Sequence, residues 1–167
     1  MLRSRILLSF PLCLVLGATL AAQDSHPASR STPAFDQLKS LAGEWQGKDN
    51  MKVIYSVVSN GSVVMEHLAP ATKYEMVTMY SLDGDRIVVT HYCAAGNQPT
   101  MQTAPSPAAN GKYDFSFVRV SGTKTPDEGR MSALTLTIAD KDHITQAWTY
   151  DDHGKTMVDT FTYTRVK

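Results

Sequence analysis

Two histidines, one glutamate and one lone cysteine are the residues in this chain with the most chemical scope. Glu66 and His67 are neighbours in "VVMEHLA", and His91 and Cys93 lie two apart in "RIVVTHYC". If both segments are β-strands, side chains alternate between faces. Val64, Glu66 and Leu68 then share one face, and Val63, Met65 and His67 the other. Either way an ionisable group points into the fold or sits at its rim, and a buried carboxylate needs a partner. His91 or Arg86 on a nearby strand is the expected partner. Ile87, Val89, His91 and Cys93 share the more apolar face of their segment, which we read as inward. A neutral imidazole there can donate or accept one hydrogen bond, and it titrates near neutral pH.

A histidine and a cysteine two apart on one strand do not form a nucleophile–base pair, since such partners normally come from separate elements with a third orienting group. Cys93 is therefore expected to behave as a small buried hydrophobe that resists thiol reagents. Asn97 and Gln98 follow in "AAGNQP", beside the same strand end. In "HITQAWTY", Ile144, Gln146, Trp148 and Tyr150 share a face, placing one amide in an aromatic wall. Together these residues suggest a mainly apolar pocket with a few placed polar groups. The candidate ligand-binding set is Glu66, His91, Cys93, Asn97, Gln98, Gln146, Trp148 and Tyr150, with methionines as adaptable wall. Tyr113, Phe115 and Phe117 are expected as core or cavity wall. No histidines pair at short ligand spacing with a carboxylate, so no metal site is expected.

The elements that position these residues are mostly strands. Phe35, Leu38 and Leu41 recur at helical spacing over one or two turns, with Gly43 as the stop. After that the period becomes two. Asn60-Gly61, Asp83-Gly84, Asn110-Gly111 and the Asp151–Gly154 segment supply turns between apolar–polar runs. Asn60-Gly61-Ser62 also matches a glycosylation acceptor, but the turn is the preferred reading. "AAGNQPTMQTAPSPAA" reads as a looser connection. Consecutive hairpins make an antiparallel meander, and closing it into a barrel hides both edges. A sandwich is the alternative; its crossovers need longer connections than most of those here. The expected fold is all-β, an up-and-down barrel of about eight to ten strands with a short N-terminal helix capping one end.

The start of the chain carries a different signal. Arg3 and Arg5 precede the apolar run Ile6–Leu16, followed by small residues at Ala18, Ala21 and Ala22. That order predicts a secretory signal peptide over 1–21, too short for a membrane span. Residues 22–34 read as a flexible leader, and 35–167 as the barrel domain. Export to the periplasm or medium follows. The 16 basic residues less Arg3 and Arg5 leave 14 against 16 acidic, about −2, which offers no basic face for a nucleic acid. Cys13 leaves with the signal peptide, so Cys93 is expected to have no intramolecular partner.

Gly43-x-Trp45 after a short helix, followed by a meander and a terminal Arg165, resembles the lipocalin and calycin pattern. That resemblance implies a helix over one barrel end, Trp45 packed across its floor, and Arg165 stacked on the indole. "MVTMYSLDGDRIVVTHYCAAGNQP" and "DHITQAWTY" resemble secreted bacterial lipocalin-like proteins of unknown function, akin to the domain of unknown function numbered 1579. Nitrobindin-type barrels are a more distant likeness. These hold haem through a histidine near the chain end, and none follows His153 here. No cofactor is expected, and haem is the only one the resemblance raises.

Three functions remain open from sequence. The first is an exported barrel binding a small apolar or amphipathic molecule. The second is an isomerase- or hydrolase-type enzyme using His91 or Glu66 as base. The third is a packed structural or interaction domain.

Overall fold

A computed structural model describes residues 29–167; the signal peptide and most of the leader expected from sequence lie outside the described residues. Helix α1 spans Pro33–Lys39. Thr32 caps it by accepting from the Phe35 N–H, and Pro33 occupies its first turn, where no N–H is required. Ala34, Phe35 and Leu38 form its buried face.

Ten strands follow: β1 Gly43–Gln46, β2 Lys52–Val58, β3 Val63–Leu68, β4 Met76–Asp83, β5 Arg86–Tyr92, β6 Gln98–Gln102, β7 Lys112–Ser121, β8 Arg130–Ile138, β9 His143–Asp152 and β10 Lys155–Arg165. Each strand pairs with its successor, and β1 meets β10 to close an antiparallel barrel. The meander expected from sequence is thus an up-and-down barrel, not a sandwich. Among the described residues no helix is long and apolar enough to cross a membrane.

Two connections differ from expectation. Asn60-Gly61 lies within a four-residue loop, residues 59–62, in which Ser59, Asn60 and Gly61 all adopt positive φ. The loose segment after Cys93 contains β6, with Pro99 inside it. Pro99 lacks an N–H for the ladder, and the β5–β6 pairing stops at Thr90↔Thr100, one residue short of it.

Alpha1 covers the end of the barrel where β1 starts and β10 finishes. The Tyr113 hydroxyl bonds to Gln37 on α1, and Gln37 accepts from the Gly111 N–H. Trp45 is fully buried there and donates from its indole N–H to the Leu41 carbonyl at 2.8 Å. The Arg165 guanidinium lies 4.2 Å over the Trp45 ring and donates to the carbonyls of Ala42, Ser40 and Lys141. The two glycines flanking Trp45 make room for this closure. Gly43 has φ +135°, and a Cβ there would meet the Arg165 guanidinium at 2.8 Å. A Cβ on Gly47 would sit 2.9 Å from the Tyr163 ring.

The barrel interior is largely filled. Trp45, Tyr55, Tyr80, Tyr113, Phe115, Ile87, Met101, Leu134 and Leu136 are all fully buried in one cluster. Side-chain alternation delivers them inward from successive strands.

Candidate functional site

Four residues from four adjacent strands form a polar row on the inner wall. Register places Tyr55 beside Glu66, Glu66 beside Thr78, and Thr78 beside His91. All four are buried. Gln146 faces them from β9, where it pairs with Leu136 on one side and Phe161 on the other. Its side-chain NH2 donates to the Tyr55 hydroxyl at 2.6 Å and to the Glu66 carboxyl at 3.0 Å. Its carbonyl accepts from the Trp148 indole N–H at 2.9 Å. The Tyr80 hydroxyl donates to the other Glu66 oxygen at 2.8 Å.

Glu66 is 1% exposed, and among the described residues no cation reaches it. Its partners are not His91 or Arg86, as the sequence suggested. Arg86 instead donates to the Thr103 carbonyl. Burial raises the Glu66 pKa, and the hydrogen bonds from Gln146, Tyr80 and Tyr55 offset only part of that. The carboxyl in turn helps push the Tyr55 and Tyr80 phenols upward, after burial itself. A carboxyl held by neutral donors alone favours its protonated form more than one held by an arginine.

His91 has the opposite shift. Burial pushes its pKa down to about 4, so the ring is neutral at neutral pH. Its Nδ1 is hydrogen-bonded to the Thr78 hydroxyl at 2.9 Å. Its Nε2 is buried with no hydrogen-bond partner among the described residues. The Trp148 indole lies 4.7 Å from the imidazole, centroid to centroid, at 44°.

A cavity of about 50 Å³ lies against these groups, lined by Glu66, Leu68, Met76, His91, Met131, Trp148, Phe161 and Tyr163. It has room on the order of a few water-sized groups. The sequence suggested a mainly apolar pocket with a few polar groups; the aromatic core fills most of the interior and leaves only this small space. A haem fits neither this volume nor its single histidine. Among the described residues no group of three or more His, Cys, Asp and Glu converges as a metal site.

The structure brings Glu66, His91, Gln146 and Trp148 together. It separates the other four candidates from them. Cys93 is half-buried in the turn after β5, where its N–H bonds to the Asn97 carbonyl. Asn97 is fully buried, but its amide donates to the Gly129 carbonyl and pins two loops together. Gln98 bonds to the Gly96 carbonyl at the surface. Tyr150 is half-buried, its hydroxyl over Gly129 at the rim. Phe117 is also displaced from the expected wall. It is 38% exposed and stacks under the Arg130 guanidinium at 5.0 Å.

Sequence reasoning missed Tyr55, Thr78, Tyr80, Phe161 and Tyr163. A usable signal existed: hairpin register pairs Glu66 with Thr78, and Tyr80 is the next inward residue on that strand.

No family model matches the chain, and no curated protein matches it. The closed ten-strand antiparallel barrel is compatible with a lipocalin-like fold.

Proposed function

We propose that this protein is an exported binder of a small, mostly uncharged molecule, held inside the barrel by one hydrogen bond to His91 Nε2 and by contact with Trp148. The observation that carries this reading is His91 itself, whose ring lines the cavity and whose buried Nε2 has no hydrogen-bond partner among the described residues. A buried polar atom without a partner costs on the order of 1–3 kcal/mol, and a ligand group that satisfies it recovers that cost. The Thr78 contact is compatible with either imidazole tautomer. A hydroxyl both donates and accepts, so it serves both. A charged head group is disfavoured, because the surroundings are apolar and a neutral imidazole offers no countercharge.

Catalysis by Glu66 has less support. Tyr80 and Gln146 already occupy its oxygens, and the rest of the cavity wall is apolar save His91 and Tyr163. A base acting without a group to stabilise the developing charge contributes little. Export rests on the N-terminal sequence pattern, and the lipocalin-like relationship on Gly43-x-Trp45, Arg165 and the barrel.

The test is native mass spectrometry of protein taken from its own exported fraction, with side-chain ¹⁵N spectra of His91 alongside. A bound mass that leaves on denaturation, together with a shifted Nε2 resonance, supports the reading. A bound mass that leaves His91 unchanged refutes the assigned contact.

A further inference from the structure

The barrel seam is incomplete. Beta1 has four residues and β10 eleven, and they pair only at Trp45↔Arg165 and Gln46↔Thr164. Beyond Thr164 toward its own N-terminus, β10 is hydrogen-bonded to β9 alone. The β1–β2 connection, with Asp49 and Asn50 at positive φ, lies beside β10 without extending that ladder. A groove of about 720 Å³ lies along this seam. Its walls include Met51 and Lys52 of the β1–β2 side, Pro70 and Tyr74 of the β3–β4 loop, and Thr160–Thr162 of β10.

Phe161 belongs to both spaces. It lines the outer groove and also the inner cavity with Glu66, His91 and Trp148. Its inward parity with Tyr163 aims the ring at the interior, yet it is only half-buried because no strand covers β10 at that level. A single side chain therefore lies between the small inner void and the large groove.

Building on the His91 reading, we infer that the seam between β2 and β10 is a lateral way in, gated by Phe161, and that the ligand spans it. The occupant is an elongated amphiphile with one uncharged hydroxyl head and an apolar body. The head sits at His91 Nε2, and the body lies along Met51, Pro70 and Tyr74. Size supports this. The inner void alone holds only a few heavy atoms, whereas the outer groove is in the range of pockets that enclose drug-sized ligands, roughly 300–1,000 Å³. The groove is also mainly apolar at its walls, where Met51, Ala69, Pro70, Tyr74 and Phe161 meet. Rotation of one aromatic ring is the sort of local step that sets access rates to enclosed sites.

The experiment titrates the full chain with 1-octanol, following the His91 Nε2 resonance and the backbone amides of residues 69–74 and 160–162. In the expected result both sets move in one binding event. Phe161→Ala should raise the association rate about tenfold, and Phe161→Trp should lower it by a similar factor. The alanine variant relieves crowding, so the gate stays testable if the tryptophan variant fails to fold. If His91 responds while the groove amides and both variants do not, the lateral route is wrong and the His91 site stands. If the groove amides respond without His91, the groove is a separate surface site and the continuity is refuted. If nothing responds, the His91 reading fails and the lateral route fails with it.

Discussion

The His91 imidazole and the Trp148 indole lie 4.7 Å apart and line the same cavity, and the imidazole Nε2 has no hydrogen-bond partner among the described residues. Trp148 is in turn tied through Gln146 to Glu66. A change at Trp148, Gln146 or Glu66 therefore reaches the others through hydrogen bonds, and reaches His91 through the ring contact with Trp148.

Acid should destabilise the fold through His91. Its folded pKa is about 4 against 6.5 for a free histidine, so the unfolded chain binds the proton more readily. The stability is present above pH 6.5 and is lost as pH falls through that window toward 4. The full effect is about 3 kcal/mol. Urea unfolding at several pH values should show this loss in the wild type and a flatter profile in His91→Phe. Identical slopes would mean that His91 does not carry the effect.

Glu66 should act in the opposite direction. Its folded pKa is raised, so its contribution is present at acid pH and is lost as pH rises through the folded value. Glu66→Gln removes that ionisation and keeps the shape. The variant should gain stability relative to wild type as pH is raised from acid toward neutral and beyond. Glu66→Leu should be worse at every pH, because Tyr80 and Gln146 lose their acceptor at about 1–3 kcal/mol per buried group. A leucine variant as stable as wild type would show that the network adds nothing.

Arg165 should be a stabilising residue that lysine cannot replace. Its guanidinium stacks on Trp45 and reaches three backbone carbonyls, tying the end of α1 to the β8–β9 turn. A lysine offers one point charge where the site uses a planar fork. Arg165→Ala should cost about 2 kcal/mol in chemical denaturation, and Arg165→Lys should recover less than half of that. Full rescue by lysine would reduce the contact to simple charge.

Gly47→Ala should disturb the seam by crowding alone. The backbone φ of Gly47 is −100°, which alanine adopts without strain, but the added methyl would lie 2.9 Å from the Tyr163 ring. Overpacking of this kind costs about 1–3 kcal/mol. Tyr163 lines the inner cavity, so the same change should shift the His91 resonance. A stability loss with an unmoved His91 signal would place the strain elsewhere.

Much of the fold was legible because its rules are local. A period of two, interrupted by Gly-containing turns, reports hairpins within a dozen residues of chain. Gly43-x-Trp45 with Arg165 reported the closed end, where register sets Trp45 against Arg165. The same alternation turned His91, Gln146 and Trp148 toward the interior, and left open whether Glu66 or its neighbour His67 joins them.

Alternation says which way a side chain points; it does not say whether anything lies there. Tyr150, Phe117 and Met157 have inward parity but stand near or beyond the rim, where the barrel no longer surrounds them. Nor does any local pattern choose cross-barrel neighbours. Gln146 reaches Tyr55 across 91 residues of sequence and Glu66 across 80, distances that depend on the stagger at which ten strands close. The sequence by itself determined most of the strands and turns and several inward faces, because these follow from periods of a few residues; β6, the 59–62 loop and the inward face of β3 were not among them. Only the tertiary structure decided that three neutral donors hold Glu66, that aromatic side chains fill most of the interior, and that a short β1 leaves the seam open beside Phe161. Those outcomes depend on barrel closure, which couples residues too far apart in sequence for any local spacing to record.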